Sequence, residues 1–154
     1  MGSAIFYTMK LYTSYFAQIR NFPPNLVGLS TTMWPPKWLH PHRTQNGIIW
    51  LTVPPLQPGS ECEGLCAGKC NPKHPSDCAF LQTYYQQLQR IPMDKFIKKL
   101  EELAAKIQEK ENFSRGVDFA FLVYETPNNP CSERAPLQKW FTTNNIKIQE
   151  WKKE

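Results

Sequence analysis

Four cysteines, Cys62, Cys66, Cys70 and Cys78, fall inside CEGLCAGKCNPKHPSDC, separated by three, three and seven residues. Thiolates gathered at such short spacing are the ligands a tetrahedral zinc ion takes. A closed site of four would hold together a loop too small to have its own core. Gly64 and Gly68 let the chain turn tightly between the sulfurs. The cluster therefore predicts one structural zinc, with an iron–sulfur cluster as the less favoured occupant and His74 as a substitute ligand. The gaps differ from the paired two-residue gaps of common zinc modules, so a loop of free thiols is the competing reading.

A second constellation is VYETPNNPCSERAPLQKWF, residues 123–141. An apolar strand ends at Tyr124-Glu125, a polar turn follows, and Cys131 precedes a helix. Ligands of open α/β sheets bind at the carboxyl ends of strands, in front of helix N-termini. In that position Glu125 is a candidate general acid–base or nucleophile, and Cys131 a candidate catalytic thiol or turn support. The helix dipole and Arg134 would both lower the Cys131 pKa, and Arg134 can grip an anion bidentately. The competing reading makes Ser132 a helix cap and leaves Glu133 and Arg134 as surface charges of the first turn.

These residues need a sheet to position them. Lys10–Phe16 is β-branched and aromatic and predicts a first strand; Leu26–Ser30 and Gly47–Val53 predict two more. Phe16–Asn21 fits one helical turn before Pro23-Pro24 stops it. Asp77–Arg90 carries Phe80, Leu81, Tyr84, Tyr85 and Leu88 at helical spacing, with Ser76 or Asp77 as cap. Asp94–Lys110 is the clearest helix, with Phe96, Leu100, Leu103 and Ile107 in one stripe. Val117–Tyr124 is almost continuously apolar, as a strand covered on both faces must be. Ser132–Asn144 predicts a helix with Pro136 in its first turn, and Ile146–Trp151 a last strand. Strands separated by helices imply a single α/β domain over 1–154 with three layers and a mainly parallel sheet. Residues 56–78 form a cysteine-rich, metal-binding insertion loop within it.

Composition narrows the classes. The chain has 154 residues, 41% hydrophobic and 20% charged, which excludes a disordered chain or a coiled coil. No apolar run reaches the ~20 residues that cross a bilayer, so no membrane partner is expected. Ten of the 14 prolines lie between Pro23 and Pro75, which makes that third loop-rich. The N-terminal stretch has no basic region before its apolar residues, so a cytoplasmic location is expected, where five cysteines are not expected to form a disulfide framework. Net charge is +5, and residues 1–60 contain Lys10, Arg20, Lys37 and Arg43 without one acid. That half favours anionic partners.

YTSYFAQIRNFP at 12–23, VGLS at 27–30, PPKWL at 35–39 and LVYETPNNPCSER at 122–134 together resemble the bacterial and phage family catalogued as domain of unknown function 488. Members of that family begin with a Tyr-Thr strand and carry a late strand ending in Glu, followed by a Cys-His-Arg turn that opens a helix. The resemblance implies that Thr13, Ser14 and Tyr15 match the first strand end, Ser30 follows the second strand, and Glu125, Cys131 and Arg134 match the late motif. Two features depart from it. Ser132-Glu133 stand where the family has His, and the cysteine loop is not a general family feature.

Two functions follow as expectations. In the first, a small anionic ligand of nucleotide or nucleoside type binds at the carboxyl edge, contacted by Thr13, Ser14, Tyr15, Ser30 and Arg134 and processed by Glu125 and Cys131. In the second, a zinc-stabilised, non-catalytic module presents a surface to nucleic acid or a protein partner. Lys37, His40, His42, Arg43, Lys69 and Lys73 interleave there with Trp34, Trp38 and Trp50, a composition suited to single strands.

Overall fold

The computed structural model describes residues 9–66 and 69–153; the N-terminal stretch and Gly68 lie outside them. Five strands form one sheet: β1 (Leu11–Tyr15), β2 (Leu26–Ser30), β3 (Trp50–Thr52), β4 (Asp118–Val123) and β5 (Gln149–Glu150). Their order is β3-β2-β4-β1-β5, and every pairing between them is parallel. Three α-helices complete the frame: α1 (Ala79–Gln89), α2 (Met93–Glu111) and α3 (Arg134–Thr143). The α/β class and the parallel sheet agree with the sequence. The outer strands are shorter than predicted, because β3 and β5 each pair on one side only.

Strand order dictates which face each crossover covers. From β1 to β2 to β3 the chain moves one way across the sheet, and from β3 to β4 to β5 it moves back. Right-handed crossovers place movements of opposite sense on opposite faces. Accordingly Val27, Leu29, Phe119, Phe121 and Val123 pack against helix residues Leu88, Phe96, Leu100, Leu137, Trp140 and Phe141. The other face, with Trp50, Ala120 and Leu122, is covered by Phe16, Ile19 and Leu39.

The expectation of a helical layer on both faces is therefore corrected. The second face carries a 3-10 turn, Phe16–Asn21, and the loop of residues 31–49. Pro23-Pro24 leaves too little chain between β1 and β2 for a full α-helix. The thin cover approaches closely at Gly28. A Cβ built there would lie 2.8 Å from Leu122 Cδ1 and 3.3 Å from Ile19 Cδ1.

The central strand β4 is buried along its whole length, as its unbroken apolar run requires. Phe96 of α2 meets Phe121 across the layer, with ring centroids 6.3 Å apart, and Trp140 of α3 at 5.2 Å. Asn112 ends α2 in the left-handed region at φ 54°, a conformation Asn tolerates better than most residues. Pro136 falls at the third position of α3, inside the first turn, where its missing N–H costs no helical bond.

Candidate functional site: the carboxyl edge of the sheet

β1 and β4 are neighbours whose following connections leave in opposite directions, so the crevice of this fold opens at Tyr15 and Val123. The sequence places an anion grip at Arg134, and the structure gives that side chain partners within the chain. Arg134 is only 6% exposed and its guanidinium makes four hydrogen bonds within the chain. Nε donates to Glu150 Oε1 at 2.6 Å, Nη1 to the Thr126 carbonyl at 3.1 Å and Nη2 to the Glu125 carbonyl at 2.8 Å. Its Cζ lies 5.9 Å from the centroid of the Tyr15 ring. Five donors in a planar fork suit such a clamp, which fastens the turn after β4 to the last strand.

Neighbouring candidates are absorbed in the same way. Thr13 is fully buried; its hydroxyl donates to Glu150 Oε1 at 2.8 Å and accepts from Gln138 Nε2 at 2.8 Å. The Ser30 hydroxyl bonds the backbone of Thr32, both as donor and as acceptor, at 3.3 Å. Tyr15 accepts from Gln18 Nε2 at 3.0 Å. Ser14 differs, because its Oγ is buried with no hydrogen-bond partner. Of the expected ligand contacts, only Glu125 and Cys131 line one shared cavity; Thr13, Ser14, Tyr15, Ser30 and Arg134 do not line it.

That cavity, about 530 Å³, lies between the turn after β4 and the cysteine loop. Cys66, Cys70, Cys78 and Cys131 all line it, together with Glu125 and Glu133. Cys70 and Cys131 are joined in a disulfide across 61 residues of chain. In this disulfide form Cys131 offers no free thiol for catalysis. The Sγ atoms of Cys66 and Cys78 are 2.8 Å apart, and the Phe80 N–H at the start of α1 donates to Cys66 Sγ at 3.4 Å. The bond from Cys78 and the backbone N–H groups lower the Cys66 pKa, whereas burial and its donation to Cys66 raise that of Cys78.

Cys62 stands apart from this group. It is 1% exposed, packed in the helix-side core and 3.8 Å from Gln87 Oε1, and burial pushes its thiol pKa up. Gln87 holds that corner, accepting from the Gly59 N–H at 2.7 Å and donating to the Gln57 carbonyl at 2.7 Å. The quartet Cys62, Cys66, Cys70 and Cys78 is thus not brought together, because Cys62 serves the core and Cys70 is bonded elsewhere. His74 is exposed and does not line the cavity. Among the described residues no three His, Cys, Asp or Glu side chains stand as a metal-ligating group.

From the sequence, Glu133 figures only in the competing reading, as a surface charge. Burial pushes its carboxyl pKa up to about 7, reinforced by Glu125 and opposed by its own backbone N–H and by Arg134. Glu125 Oε1 is buried with no partner. None of the cavity's described lining residues is basic. Such a lining disfavours phosphate and favours a cation or a hydrogen-bond donor.

A second feature is a set of exposed large side chains in the loop after β2 and just past the end of β4. Trp34 is 77% exposed, Trp38 61%, Met33 54% and Tyr124 49%. Tyr124 is held under this loop, with its hydroxyl donating to the Trp34 carbonyl and its ring 5.0 Å from that of Phe16. Trp38, Arg20 and His40 line one shallow cavity of about 260 Å³. Trp50 does not belong to this surface, since it is buried under the sheet. Arg43 is paired with Glu111 at 2.9 Å. Tyr124 and Met33 were missed in the sequence, because nothing in a strand-end Tyr or a loop Met announces that its neighbours leave it uncovered.

Among the described residues, no helix is long and apolar enough to cross a membrane. No family model, curated protein or solved structure matches the chain.

Proposed function

We propose that the chain is a non-catalytic binding module for single-stranded nucleic acid, braced by a zinc-tied cysteine loop. The observation that carries this reading is the 77% and 61% exposure of Trp34 and Trp38 in a sequence that has no acid before Glu61. Large rings left in water are costly unless they serve contact, and each base stacked on such a ring contributes about 1–3 kcal/mol. Arg20, which lines a cavity with Trp38, and Lys37, the chain neighbour of Trp38, are both exposed and suit phosphates. The rival reading, a small anionic ligand at the carboxyl edge, loses its grip in the closed Arg134 clamp and meets two carboxyls in the cavity. The likeness to domain of unknown function 488 belongs to the same proposal, as does an iron–sulfur cluster as the less favoured alternative to zinc.

Tryptophan fluorescence with a single-stranded oligonucleotide, titrated at several salt concentrations, tests the reading. Two phosphate contacts predict a slope of log K against log salt near −1.4, from about −0.7 per contact on single strands. Duplex of the same length should bind more weakly, because its bases are not free to stack. No binding at low salt, or binding indifferent to salt, would overturn it.

A further inference from the structure

We propose that Cys66, Cys70, Cys78 and Cys131 are the four ligands of one zinc-class ion, and that the Cys70–Cys131 disulfide is the oxidised, metal-free form of that site. This rests on the zinc tie proposed above and names its ligands. It replaces Cys62 with a cysteine from the other side of the sheet edge.

Four observations converge on this set. All four cysteines are among the residues that line one cavity of about 530 Å³, in two sulfur pairs, 66 with 78 and 70 with 131, while Cys62 lines a different one. The Cys66 and Cys78 sulfurs already lie 2.8 Å apart at the start of α1. A tetrahedral ion with zinc–sulfur bonds of about 2.3 Å needs sulfurs roughly 3.8 Å apart, so this pair must spread by about an ångström. The Phe80 N–H donates to Cys66 Sγ, the kind of backbone bond that supports a metal-bound thiolate. The lining is rich in acceptors, contains the unpartnered Glu125 Oε1 and contains no basic residue.

The chemistry balances in two steps. A dithiol reductant transfers two electrons and two protons to the Cys70–Cys131 bond, giving two thiols and the reductant's own disulfide. The four thiols then bind one divalent ion and release four protons, leaving a site of charge −2. In reverse, two thiolates, one hydrogen peroxide and two protons give the disulfide and two waters, and the ion departs with only two ligands left. The ion would clip the loop around Cys66–Cys78 to the turn that enters α3. It would thereby set that loop beside the Trp34 surface, with which it shares Leu65 and Phe80.

The test is metal analysis and native mass spectrometry of the full chain purified under reductant, alongside C62A, C66S and C131S. The parent and C62A are expected to hold one zinc per chain, and C66S and C131S to lose it. Cobalt substitution should give the intense visible bands of a tetrahedral tetrathiolate. Where C131S folds poorly, C131H keeps a ligand at the position and should bind cobalt with a weaker thiolate charge-transfer band. Peroxide should release zinc, and peptide mapping should then find the 70–131 disulfide. Zinc retained in C131S but lost in C62A would overturn this ligand set and leave the zinc tie standing. A parent without zinc or iron under reductant would overturn the tie itself. Neither result bears on the oligonucleotide titration, which is read separately.

Discussion

Replacing Arg134 with Ala separates a structural clamp from a ligand grip. The guanidinium is 6% exposed and its partner Glu150 contacts it at 2.6 Å, with the Glu150 side chain 15% exposed. Removing one partner of such a pair leaves an uncompensated, largely desolvated charge, a loss of about 3–5 kcal/mol. The carbonyls of Glu125 and Thr126 lose their donors in the same variant. A total near 4 kcal/mol is a large share of the roughly 5–15 kcal/mol by which a domain is stable. At about 2–4 °C per kcal/mol for a chain of this length, Tm should fall by roughly 8–16 °C. Urea unfolding followed by circular dichroism gives the free energy, and a thermal scan gives Tm. The double variant R134M/E150L removes both charges and should recover part of the loss, because no charge is left unpaired. The Glu125 and Thr126 carbonyls and the Thr13 hydroxyl still lose those partners. An R134A protein within about 1 kcal/mol of the parent would refute the clamp and return Arg134 to the list of ligand-binding side chains.

Gly28→Ala should destabilise by about 1–3 kcal/mol in urea, because the new methyl overlaps Leu122 Cδ1 at 2.8 Å and the surrounding layer is thin. Ser14→Ala removes a buried hydroxyl that has no partner and should raise stability by about 1 kcal/mol; a loss of that size would mean that the hydroxyl is satisfied in solution. Trp34→Ala and Trp38→Ala should each weaken single-strand binding by about 1–3 kcal/mol, measured by anisotropy at fixed salt. Both rings are mostly in water, so Tm should move little, and an equal loss of Tm and affinity would point to folding instead.

Periodicity carried the fold because the core rewards it directly. The stripe of α2 and the unbroken run of β4 each have one arrangement that buries them, and the structure adopts both. The second face was not readable in the same way. Its cover is a 3-10 turn and a proline-rich loop, which bury Phe16, Ile19 and Leu39 without any repeat in the sequence. Single anchors of that kind are set by tertiary contact, and local pattern is silent about them.

The site shows the same division more sharply. Spacing grouped Cys62 with the three cysteines after it, since neighbours in sequence are the only neighbours a sequence displays. In the fold Cys62 turns into the core beside Tyr84 and Leu88, and the fourth sulfur on the cavity comes from Cys131, across 61 residues from Cys70. What brings Cys131 there is the parallel topology. β4 ends at the rim and α3 must start above it, so the intervening turn stands over the same edge as the loop that follows β3. Arg134 is drawn into an internal clamp for the same reason. Its charge could be read from the sequence, but its partner Glu150 belongs to β5, which pairs beside β1 only after α3 has crossed that strand. Residue type announces which chemistry is available. Here the order of strands decides which of those residues meet, and therefore which are spent holding the edge and which are left to bind.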